Sequence, residues 1–371
     1  MTKIRKGTVS VGIAAGGTGG HIMPAVSVAQ ALKKLARDRG ENIEVFFIGT
    51  GRQLERELVA AAALDYEFVP VEPVVGRGII GLLLFIIGLP IAVWRCLKIF
   101  RRRNVRAVIG FGGFPSFVPL FTAWIRRLPA VLQEQNVKVG LANKVLSLFV
   151  ERIFAPCGAY GFFRSSHLIE MMNPVREEFY HLPPPTDNSP DKSLSLLVIG
   201  GSQGALRVNQ AITNLLPWFK SKGVRLIHQT GKLDYERTAA VYRENSFTES
   251  EVFAFTKTMP ECIGRADIVI SRAGAMSAAE ITASGRGAIY IPLAIARGHQ
   301  KENVIKLAEA GAARIIDQDD RLEDNLKRTL EELLDNRHLV QEMADNARSC
   351  YGSGGRHPAQ VMADYLLERL T

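Results

Sequence analysis

Two glycine-rich turns in this chain have the composition of phosphate-binding loops. They are GGTGGH at residues 16–21 and GGSQG at residues 200–204, and each lies between a short apolar run and a segment with helical spacing. A glycine turn that joins a strand to a helix directs backbone N–H groups outward at the positive end of the helix dipole, where phosphate binds. Two such turns, about half a chain apart, predict two similar α/β halves with a phosphorylated substrate between them.

The first turn does not fit the common nucleotide-binding motifs. In the GxGxxG register from Gly17 the third glycine is replaced by Ile22, and no acidic residue is placed for a ribose at the second strand end, Gly49-Thr50-Gly51. The GK[ST] ending of a nucleotide-triphosphatase loop is missing as well. These registers disfavour a nicotinamide oxidoreductase. A turn with a purely structural role is the alternative to a phosphate site.

His21 follows the first turn directly and is a candidate catalytic base. The positive end of a helix dipole disfavours a charged imidazole, so the pKa of a histidine there is lowered and the neutral, proton-accepting form prevails. The alternative is a histidine that only caps the helix or braces the loop.

A second group of candidate residues lies in the second half of the chain. In SRAGAMSAAE at residues 271–280, Ser277 and Glu280 are three apart and share a helix face near the carboxyl end of a strand. A carboxylate there can accept hydrogen bonds from both ribose hydroxyls, and a solvated helix glutamate is the alternative. Gln300 and Asn303 suit sugar hydroxyls or are surface residues. The seven histidines are dispersed without metal-ligand spacing, so we expect neither a metal nor another cofactor.

Strand and helix signals alternate along both halves, which predicts parallel sheets covered by helices. The predicted strands are Val9–Ala14, Ile43–Ile48, Glu67–Val71, Ala107–Ile109, Leu194–Ile199, Val224–His228, Ile268–Ile270 and Ile289–Ile291. The predicted helices are Pro24–Leu35, Leu54–Ala63, Asn143–Phe149, Asn209–Phe219, Asp234–Tyr242, Ala275–Ala283, Gln300–Ala310, Leu322–Leu334 and Pro358–Leu370. The proline-rich stretch 173–193 is the predicted linker between the halves.

The composition is that of a globular protein with an anionic partner. A chain of 371 residues, 47% hydrophobic and 22% charged, suits two domains. The net charge of +9 favours a phosphorylated substrate or an acidic membrane face, and no nucleic acid is expected because no nucleic-acid-binding motif accompanies the charge. The four cysteines form no CxxC pair, which is typical of free thiols in a reducing compartment. Residues 1–11 contain no signal-peptide pattern, so we expect a cytoplasmic protein.

The most apolar stretch is the uncharged segment Gly78–Trp94, which Arg95, Lys98 and Arg101–Arg103 follow directly. An apolar surface beside a basic cluster is typical of a protein that rests on an anionic membrane leaflet, and this is our interpretation. A buried core helix and a membrane span are the alternatives. A span is disfavoured because the segment is barely long enough, because Pro90 would kink it, and because it would divide the first sheet between two compartments.

Eight motifs fall in the order and spacing of one known family. They are GGTGGH at 16–21, GFGG at 110–113, EQN at 134–136, NPVR at 173–176, GGSQGA at 200–205, HQTGK at 228–232, SRAGAMSAAE at 271–280 and HQKEN at 299–303. On these motifs the chain resembles, over nearly its whole length, the MurG family of peptidoglycan glycosyltransferases. The resemblance implies an α/β protein of the GT-B fold, with two Rossmann-like domains whose parallel sheets face an interdomain cleft. It implies an acceptor-binding, membrane-facing domain at residues 1–175, on which residues 356–371 pack back, and a UDP-sugar-binding domain at residues 176–355.

The resemblance also implies a reaction and a set of site residues. The donor is UDP-N-acetylglucosamine, and the acceptor is undecaprenyl-pyrophosphoryl-N-acetylmuramyl-pentapeptide, or lipid I, which an inverting, metal-independent transfer converts to lipid II. His21 is the catalytic candidate, and the GGTGGH and GFGG loops accept the pyrophosphate of the lipid. In the donor site, Ser202 lies at the diphosphate, Thr256 at the uracil, Glu280 at the ribose and Gln300 at the sugar hydroxyls. The other implied donor contacts are Thr18, Gly19, Gly20, Asn136, Arg176, Ala275, Met276, Ser277, Ala278 and Ala279.

Two positions depart from the family pattern. Gln133 stands where the family has a histidine before EQN, and Phe114 stands where a tyrosine follows GFGG. A titrating group at position 133 and a phenol hydrogen bond at position 114 are therefore not expected.

The sequence thus predicts a peripheral enzyme on the cytoplasmic side of the cell inner membrane, in contact with anionic lipids. One alternative is another GT-B UDP-sugar transferase with a different acceptor. The other is a non-catalytic protein that binds a nucleotide sugar or an anionic lipid.

Overall fold

The chain forms two compact units, each with its own parallel sheet and core. The computed structural model describes residues 8–71, 78–159, 167–185, 193–201, 204–247, 250–293, 299–351 and 356–370. Contacts divide the chain into one unit of Met1–Arg176 with Ser353–Thr371 and another of Glu177–Gly352.

The first unit is built around a parallel sheet that is seven-stranded within the described residues. Its strands are β1 Val9–Ala14, β2 Ile43–Gly49, β3 Asp65–Phe68, β4 Val105–Gly110, β5 Ala130–Gln133, β6 Arg152–Ala155 and β7 Leu168–Glu170. Helices α1 Gly19–Asp38, α2 Gln53–Ala61, α3 Gly78–Arg102, α4 Gly113–Ile125 and α5 Leu141–Leu146 connect them. The strand order is β3-β2-β1-β4-β5-β6-β7.

The second unit repeats this arrangement with six described strands. They are β8 Ser195–Ile199, β9 Arg225–Gln229, β10 Ser250–Phe253, β11 Ile268–Ser271, β12 Gly287–Tyr290 and β13 Ala313–Ile315. The helices are α6 Leu206–Asn214, α7 Leu216–Ser221, α8 Tyr235–Glu244, α9 Met259–Gly264, α10 Ala275–Ala283, α11 His299–Glu309, α12 Leu322–Asp335 and α13 His338–Cys350. The strand order is β10-β9-β8-β11-β12-β13, and the predicted class of two Rossmann-like, parallel-sheet domains is confirmed.

The last helix, α14 (Pro358–Glu368), returns to the first unit and packs on α1. Met362 and Leu366 are fully buried in the same apolar cluster as Leu32 of α1. An ion pair between Arg39 and Asp364, 2.5 Å long, flanks this contact. The core of the first unit is therefore completed by residues that follow the whole second unit.

Each sheet reverses its strand order at one place, between β1 and β4 in the first unit and between β8 and β11 in the second. In open α/β sheets a ligand binds at such a reversal, beyond the carboxyl ends of the strands, because the following loops diverge there. The loops after β1 and β4 are the GGTGGH and GFGG turns, and those after β8 and β11 are GGSQGA and SRAG. The fold thus places all four predicted motifs at the two reversals.

Helix α3 contains the apolar segment and continues through Pro90. One face is buried, with Ala92, Cys96 and Phe100 in a core cluster of the first unit. The other face exposes Leu83, Ile86, Ile87, Ile91 and Trp94. By length and composition Leu83–Arg102 could cross a membrane, and 22% of its most apolar window is buried inside the protein.

Candidate functional site

The GGTGGH loop leaves the first turn of α1 open. Gly17 has φ +90°, a conformation that glycine adopts without strain. The backbone N–H groups of His21 and Ile22 donate to the Thr18 carbonyl, 3.1 and 3.2 Å away. The amides of Gly19 and Gly20 precede them and have no intrahelical acceptor. Space around Gly19 is open, since a Cβ there would meet no atom within 4 Å. This turn is suited to an anion.

His21 lies beside this opening, with its Nδ1 3.2 Å from Thr18 Oγ1. Burial lowers the pKa of His21 below its usual 6.5, and the negative charge of Glu134 opposes that shift. The direction agrees with the prediction from sequence, but the main cause is desolvation rather than the helix dipole. When Nδ1–H donates to Thr18 Oγ1, the lone pair on Nε2 is available to accept a proton.

The buried carboxylate of Glu134 fixes the loop that follows β5. It accepts hydrogen bonds from the Asn136 N–H at 2.9 Å, the Gly140 N–H at 3.2 Å and Asn143 Nδ2 at 2.8 Å. Asn143 packs against Gly112 of the GFGG loop so closely that a Cβ at Gly112 would lie 2.7 Å from Asn143 Nδ2. Asn136 is predicted to contact the sugar nucleotide. Glu134 therefore sets the position of Asn136 relative to the GFGG loop.

Gln133 belongs to a buried amide network. Its Nε2 donates to Asn173 Oδ1 at 2.7 Å, and Asn173 Nδ2 donates to the Gln135 carbonyl at 2.8 Å. The neutral amide at this position thus joins the EQN segment to the NPVR segment.

The GFGG loop is tied to the end of β1. Ser116 Oγ, in the first turn of α4, lies 2.8 Å from the Ala14 carbonyl and 2.9 Å from the Gly112 carbonyl. The Phe111 N–H donates to the same Ala14 carbonyl at 2.8 Å. The two glycine loops of the first unit are consequently held together at the carboxyl ends of β1 and β4.

Glu55, which the sequence analysis does not single out, holds the GGTGGH loop. Its fully buried carboxylate accepts from the Gly17 N–H at 3.1 Å, from the Thr50 N–H at 2.8 Å and from Tyr66 OH at 2.9 Å. It also accepts from Thr50 Oγ1 and from the Gly51 N–H. The sequence signal was an acidic residue in the first turn of a helix just after Gly49-Thr50-Gly51.

The GGSQGA loop differs from our expectation. The turn as a whole is predicted to direct backbone N–H groups outward, but the Gly200 N–H donates to the Gln229 carbonyl at 2.7 Å and the Gly201 N–H to Gln229 Oε1 at 3.0 Å. The Gly204 N–H donates to the Gly201 carbonyl at 3.1 Å. These three N–H groups thus have acceptors within the protein: the backbone and side chain of Gln229, on the neighbouring strand, and the Gly201 carbonyl of the turn itself. Ser202 lies outside the described residues.

A buried polar network supports the helix that follows this loop. Asn209 Nδ2 donates to the Thr230 carbonyl at 3.0 Å and to Asp234 Oδ2 at 2.7 Å, so Asn209 Oδ1 must accept from His228 Nε2, 3.1 Å away. Burial lowers the pKa of His228 to about 3, which keeps this imidazole neutral. Arg237 forms a bidentate pair with Asp234. The network therefore adds no unpaired negative charge below the loop.

The SRAGAMSAAE motif forms the end of β11, the loop after it and most of α10. The helix begins at Ala275 after Gly274, and Ser277 and Glu280 are both partly exposed. Ala275 and Met276 are also partly exposed, whereas the side chains of Ala278 and Ala279 are buried in the core. Those two alanines pack the helix on the sheet.

The start of α11 lies beside this helix. Asn303 Nδ2 donates to the Ala273 carbonyl at 3.3 Å, and Gln300 Oε1 accepts from the Leu293 N–H at 3.0 Å. The structure thus brings Gln300 and α10 to one side of the second unit.

The remaining predicted residues are placed separately. Thr256 follows the edge strand β10, which two strands separate from β11, and its Oγ1 accepts from the Thr258 N–H at 3.0 Å. Arg176 is half-buried at the end of the first segment of the first unit. Among the described residues, no three His, Cys, Asp or Glu side chains are grouped as metal ligands.

Two family models match the chain, one in each unit. The Glycosyltransferase family 28 N-terminal domain matches residues 11–155, and the Glycosyltransferase family 28 C-terminal domain matches residues 195–357. The four glycine-bearing motifs described above fall within these two matches.

Curated relatives and a solved structure match nearly the full length. A protein of Syntrophus aciditrophicus, named UDP-N-acetylglucosamine--N-acetylmuramyl-(pentapeptide) pyrophosphoryl-undecaprenol N-acetylglucosamine transferase, is 38% identical over 346 residues, which cover 92% of this chain and 94% of that protein. A Nitratidesulfovibrio vulgaris protein of the same name is 36% identical over 360 residues, 96% of each chain. The crystal structure of Acinetobacter baumannii MurG has a TM-score of 0.74 at 27% identity and covers 97% of this chain and 99% of its own.

The role assigned to Glu55 predicts a local effect on two loops. In Glu55→Gln, an N–H₂ group replaces one acceptor oxygen and faces donors, so we expect faster amide hydrogen exchange at Gly17, Thr50 and Gly51 and a loss of about 1.5–3 kcal/mol in the free energy of unfolding. Exchange would be followed residue by residue by NMR. The exposed Glu57→Gln, on the same helix, is the control. Equal exchange rates at Gly17 in the two variants would contradict the role.

Proposed function

This chain belongs to glycosyltransferase family 28, and we propose that it transfers N-acetylglucosamine from UDP-N-acetylglucosamine to the muramyl 4-hydroxyl of undecaprenyl-pyrophosphoryl-N-acetylmuramyl-pentapeptide. The products are UDP and the disaccharide lipid of peptidoglycan synthesis. The observation that carries the proposal is 38% identity, across both units, to a relative whose name states this donor and this acceptor. The protein is thus a hexosyltransferase with the GT-B fold.

The two units have different partners in this proposal. Residues 1–175, with the returning segment 356–371, bind the lipid acceptor and face the membrane, and residues 176–355 bind the nucleotide sugar. The anchoring of the GGTGGH and GFGG loops by Glu55 and Ser116 supports a pyrophosphate site in the first unit, because a preorganised loop binds without an ordering cost.

The donor lies along α10 and α11. Glu280 binds the ribose hydroxyls, Gln300 the hydroxyls of the sugar, and Thr256 the uracil. The partial exposure of Glu280 and Ser277 on one helix face supports this placement. Ser202, Asn136, Arg176, Thr18, Gly19, Gly20 and residues 275–279 complete the proposed contacts, and the buried side chains of Ala278 and Ala279 limit those two residues to backbone contacts.

The reaction is a direct displacement at the anomeric carbon. The muramyl 4-hydroxyl oxygen forms the β-1,4 bond, its proton passes to His21 Nε2, and the bond to the diphosphate breaks with its electron pair leaving on UDP. Because the Gly200, Gly201 and Gly204 amides are already bonded, charge on the leaving group is stabilised by the first turn of α6 together with Ser202. One well-placed donor of this kind contributes about 3–4 kcal/mol to transition-state stabilisation.

The exposed face of α3 contacts the membrane. Leu83, Ile86, Ile87 and Trp94 form its apolar surface, and Lys98 Nζ lies 3.5 Å from the Trp94 ring centroid. Arg103 does not belong to the lipid-facing cluster, because it is largely buried and pairs with Glu44, Asp65 and Glu67. Arg95, Lys98, Arg101 and Arg102 are the exposed basic residues beside the apolar face, and Arg102 also pairs with Glu67.

Release of UDP is expected only when both UDP-N-acetylglucosamine and a lipid-linked muramyl acceptor are present.

In Glu280→Ala, loss of two hydrogen bonds to the ribose should raise the donor KM roughly tenfold to a hundredfold with a small change in kcat. Glu309→Ala, an exposed glutamate on the neighbouring helix, is the control. An unchanged donor KM would refute the ribose assignment, and UDP release without the acceptor would refute the reaction.

His21→Gln should lower kcat by roughly 10²–10⁴-fold and leave the donor KM nearly unchanged, because general-base assistance acts only in the transition state. The pKa of His21 in the free protein is lowered below 6.5, so the acid limb of the wild-type kcat/KM profile should lie below pH 6.5, where the base becomes protonated, and should vanish in the variant. The exposed His181→Gln is the control. A wild-type acid limb that persists in His21→Gln would assign the base to another group.

Membrane contact predicts that Leu83→Ser with Ile87→Ser weakens binding to vesicles of anionic phospholipid by about tenfold or more, since two side chains that are 53% and 71% exposed lose most of their apolar surface. Co-sedimentation measures the binding. Leu233→Ser removes an 81% exposed leucine of the second unit and should have no effect. Equal losses in the two proteins would exclude this face.

A further inference from the structure

An apolar groove lies in the first unit between α3, α4 and the chain segment that follows β3. It is lined only by apolar residues, among them Pro70, Val71, Phe85, Gly88, Ala92 and Val118, and has a volume of about 200 Å³. The groove opens onto the exposed face of α3, since Leu84 and Ile91 line it and are 45% and 58% exposed, whereas Leu83, Ile86, Ile87 and Trp94 do not line it.

Gly88 keeps the groove open. A Cβ built on Gly88 would meet no atom within 4 Å, although the residue sits in the middle of a 25-residue helix. Glycine is unfavourable in a helix interior compared with alanine. The missing side chain therefore leaves space in the groove at a position where helix stability favours almost any other residue.

A row of apolar side chains connects the groove to the GFGG loop. Phe114 follows Gly113 directly, and its ring lies edge-on to Phe85 with the centroids 6.0 Å apart. Val118 is four residues beyond Phe114 and so lies on the same face of α4. Phe85 and Val118 both line the groove. An apolar path thus begins at the positive end of α4 and leads into the groove.

We propose that this groove binds the isoprene units next to the pyrophosphate of the acceptor, while the pyrophosphate lies at the GFGG loop. The inference rests on the proposed function and adds a subsite to it. An anionic group at the amino end of α4 is favoured by the helix dipole, and the branched hydrocarbon attached to that group meets Phe114, Phe85 and the space at Gly88 in turn. A bilayer lipid would instead cover the exposed face of α3.

The size of the groove limits the segment that it binds. An apolar cavity of about 150 Å³ holds one benzene molecule, so a groove of 200 Å³ admits one or two isoprene units and not a whole undecaprenyl chain. The remainder of the chain would stay in the bilayer.

The test compares two acceptors that need no membrane, and it is done with the full chain in the absence of detergent and vesicles. Both carry the pyrophosphoryl muramyl-pentapeptide head; one ends in a three-isoprene chain and the other in a methyl group. We expect the wild type to prefer the prenyl acceptor at least tenfold in kcat/KM. Gly88→Leu should abolish that preference and leave kcat/KM for the methyl acceptor and the donor KM unchanged. Ile87→Ala, on the exposed face beside Gly88, should retain the preference.

The outcomes separate the subsite from the reaction. Turnover of both acceptors with no preference in the wild type, or an equal preference in Gly88→Leu, would overturn the subsite and leave the reaction standing. Failure to use either acceptor would overturn the reaction itself. If Gly88→Leu does not fold, a three-isoprene acceptor with a diazirine on its first isoprene unit tests the same claim in the wild type. Labelling of Phe85 or Leu89 is the expected result, and labelling confined to residues outside the groove overturns the proposal.

Discussion

A carboxylate loses its hydrogen bonds to water when it is buried, so its burial is unfavourable unless the protein supplies other donors. This constraint determines the loop geometry of the first unit. Glu55 satisfies it with backbone and side-chain donors from the ends of β1 and β2 and from β3. Glu134 does the same for the loop after β5. Each carboxylate can be buried only when its loops have the native geometry, so loop conformation and charge burial are coupled. The open amides at the start of α1 depend on this coupling.

The second unit supports its loops with neutral groups instead. The Gln229 side chain holds Gly201, and neutral His228 orients Asn209. The nearby carboxylate, Asp234, is matched by Arg237. The two halves therefore share a topology but differ in the charge of their supporting residues.

Strands and helices with strong patterns could be predicted, and short edge elements could not. Strand β1 occupies the predicted Val9–Ala14, because a run of buried residues before glycines has a clear signature. Strand β3 was expected at Glu67–Val71 but lies at Asp65–Phe68, where its residues are exposed or half-buried and carry no alternation. Helix α1 begins at Gly19, five residues before the predicted start at Pro24, because glycine has a low helix propensity and so weakens the helical signal of the local sequence. The motif residues can be predicted from their order along the chain. Glu55 and Gln229 instead act through side-chain hydrogen bonds to the loops of neighbouring strands, and a single sequence does not show which strands are neighbours.

The return of α14 to the first unit makes the second unit an insertion within the first. During synthesis the first sheet can form early, but α1 keeps an apolar stripe uncovered until Met362 and Leu366 have emerged, by which time the whole second unit has left the ribosome. The second unit, contained in one continuous stretch of chain, is thus the one able to complete its core first. A nascent chain that stops after the second unit is complete but before α14 has emerged would expose the apolar face of α1 to the chaperones of the cell.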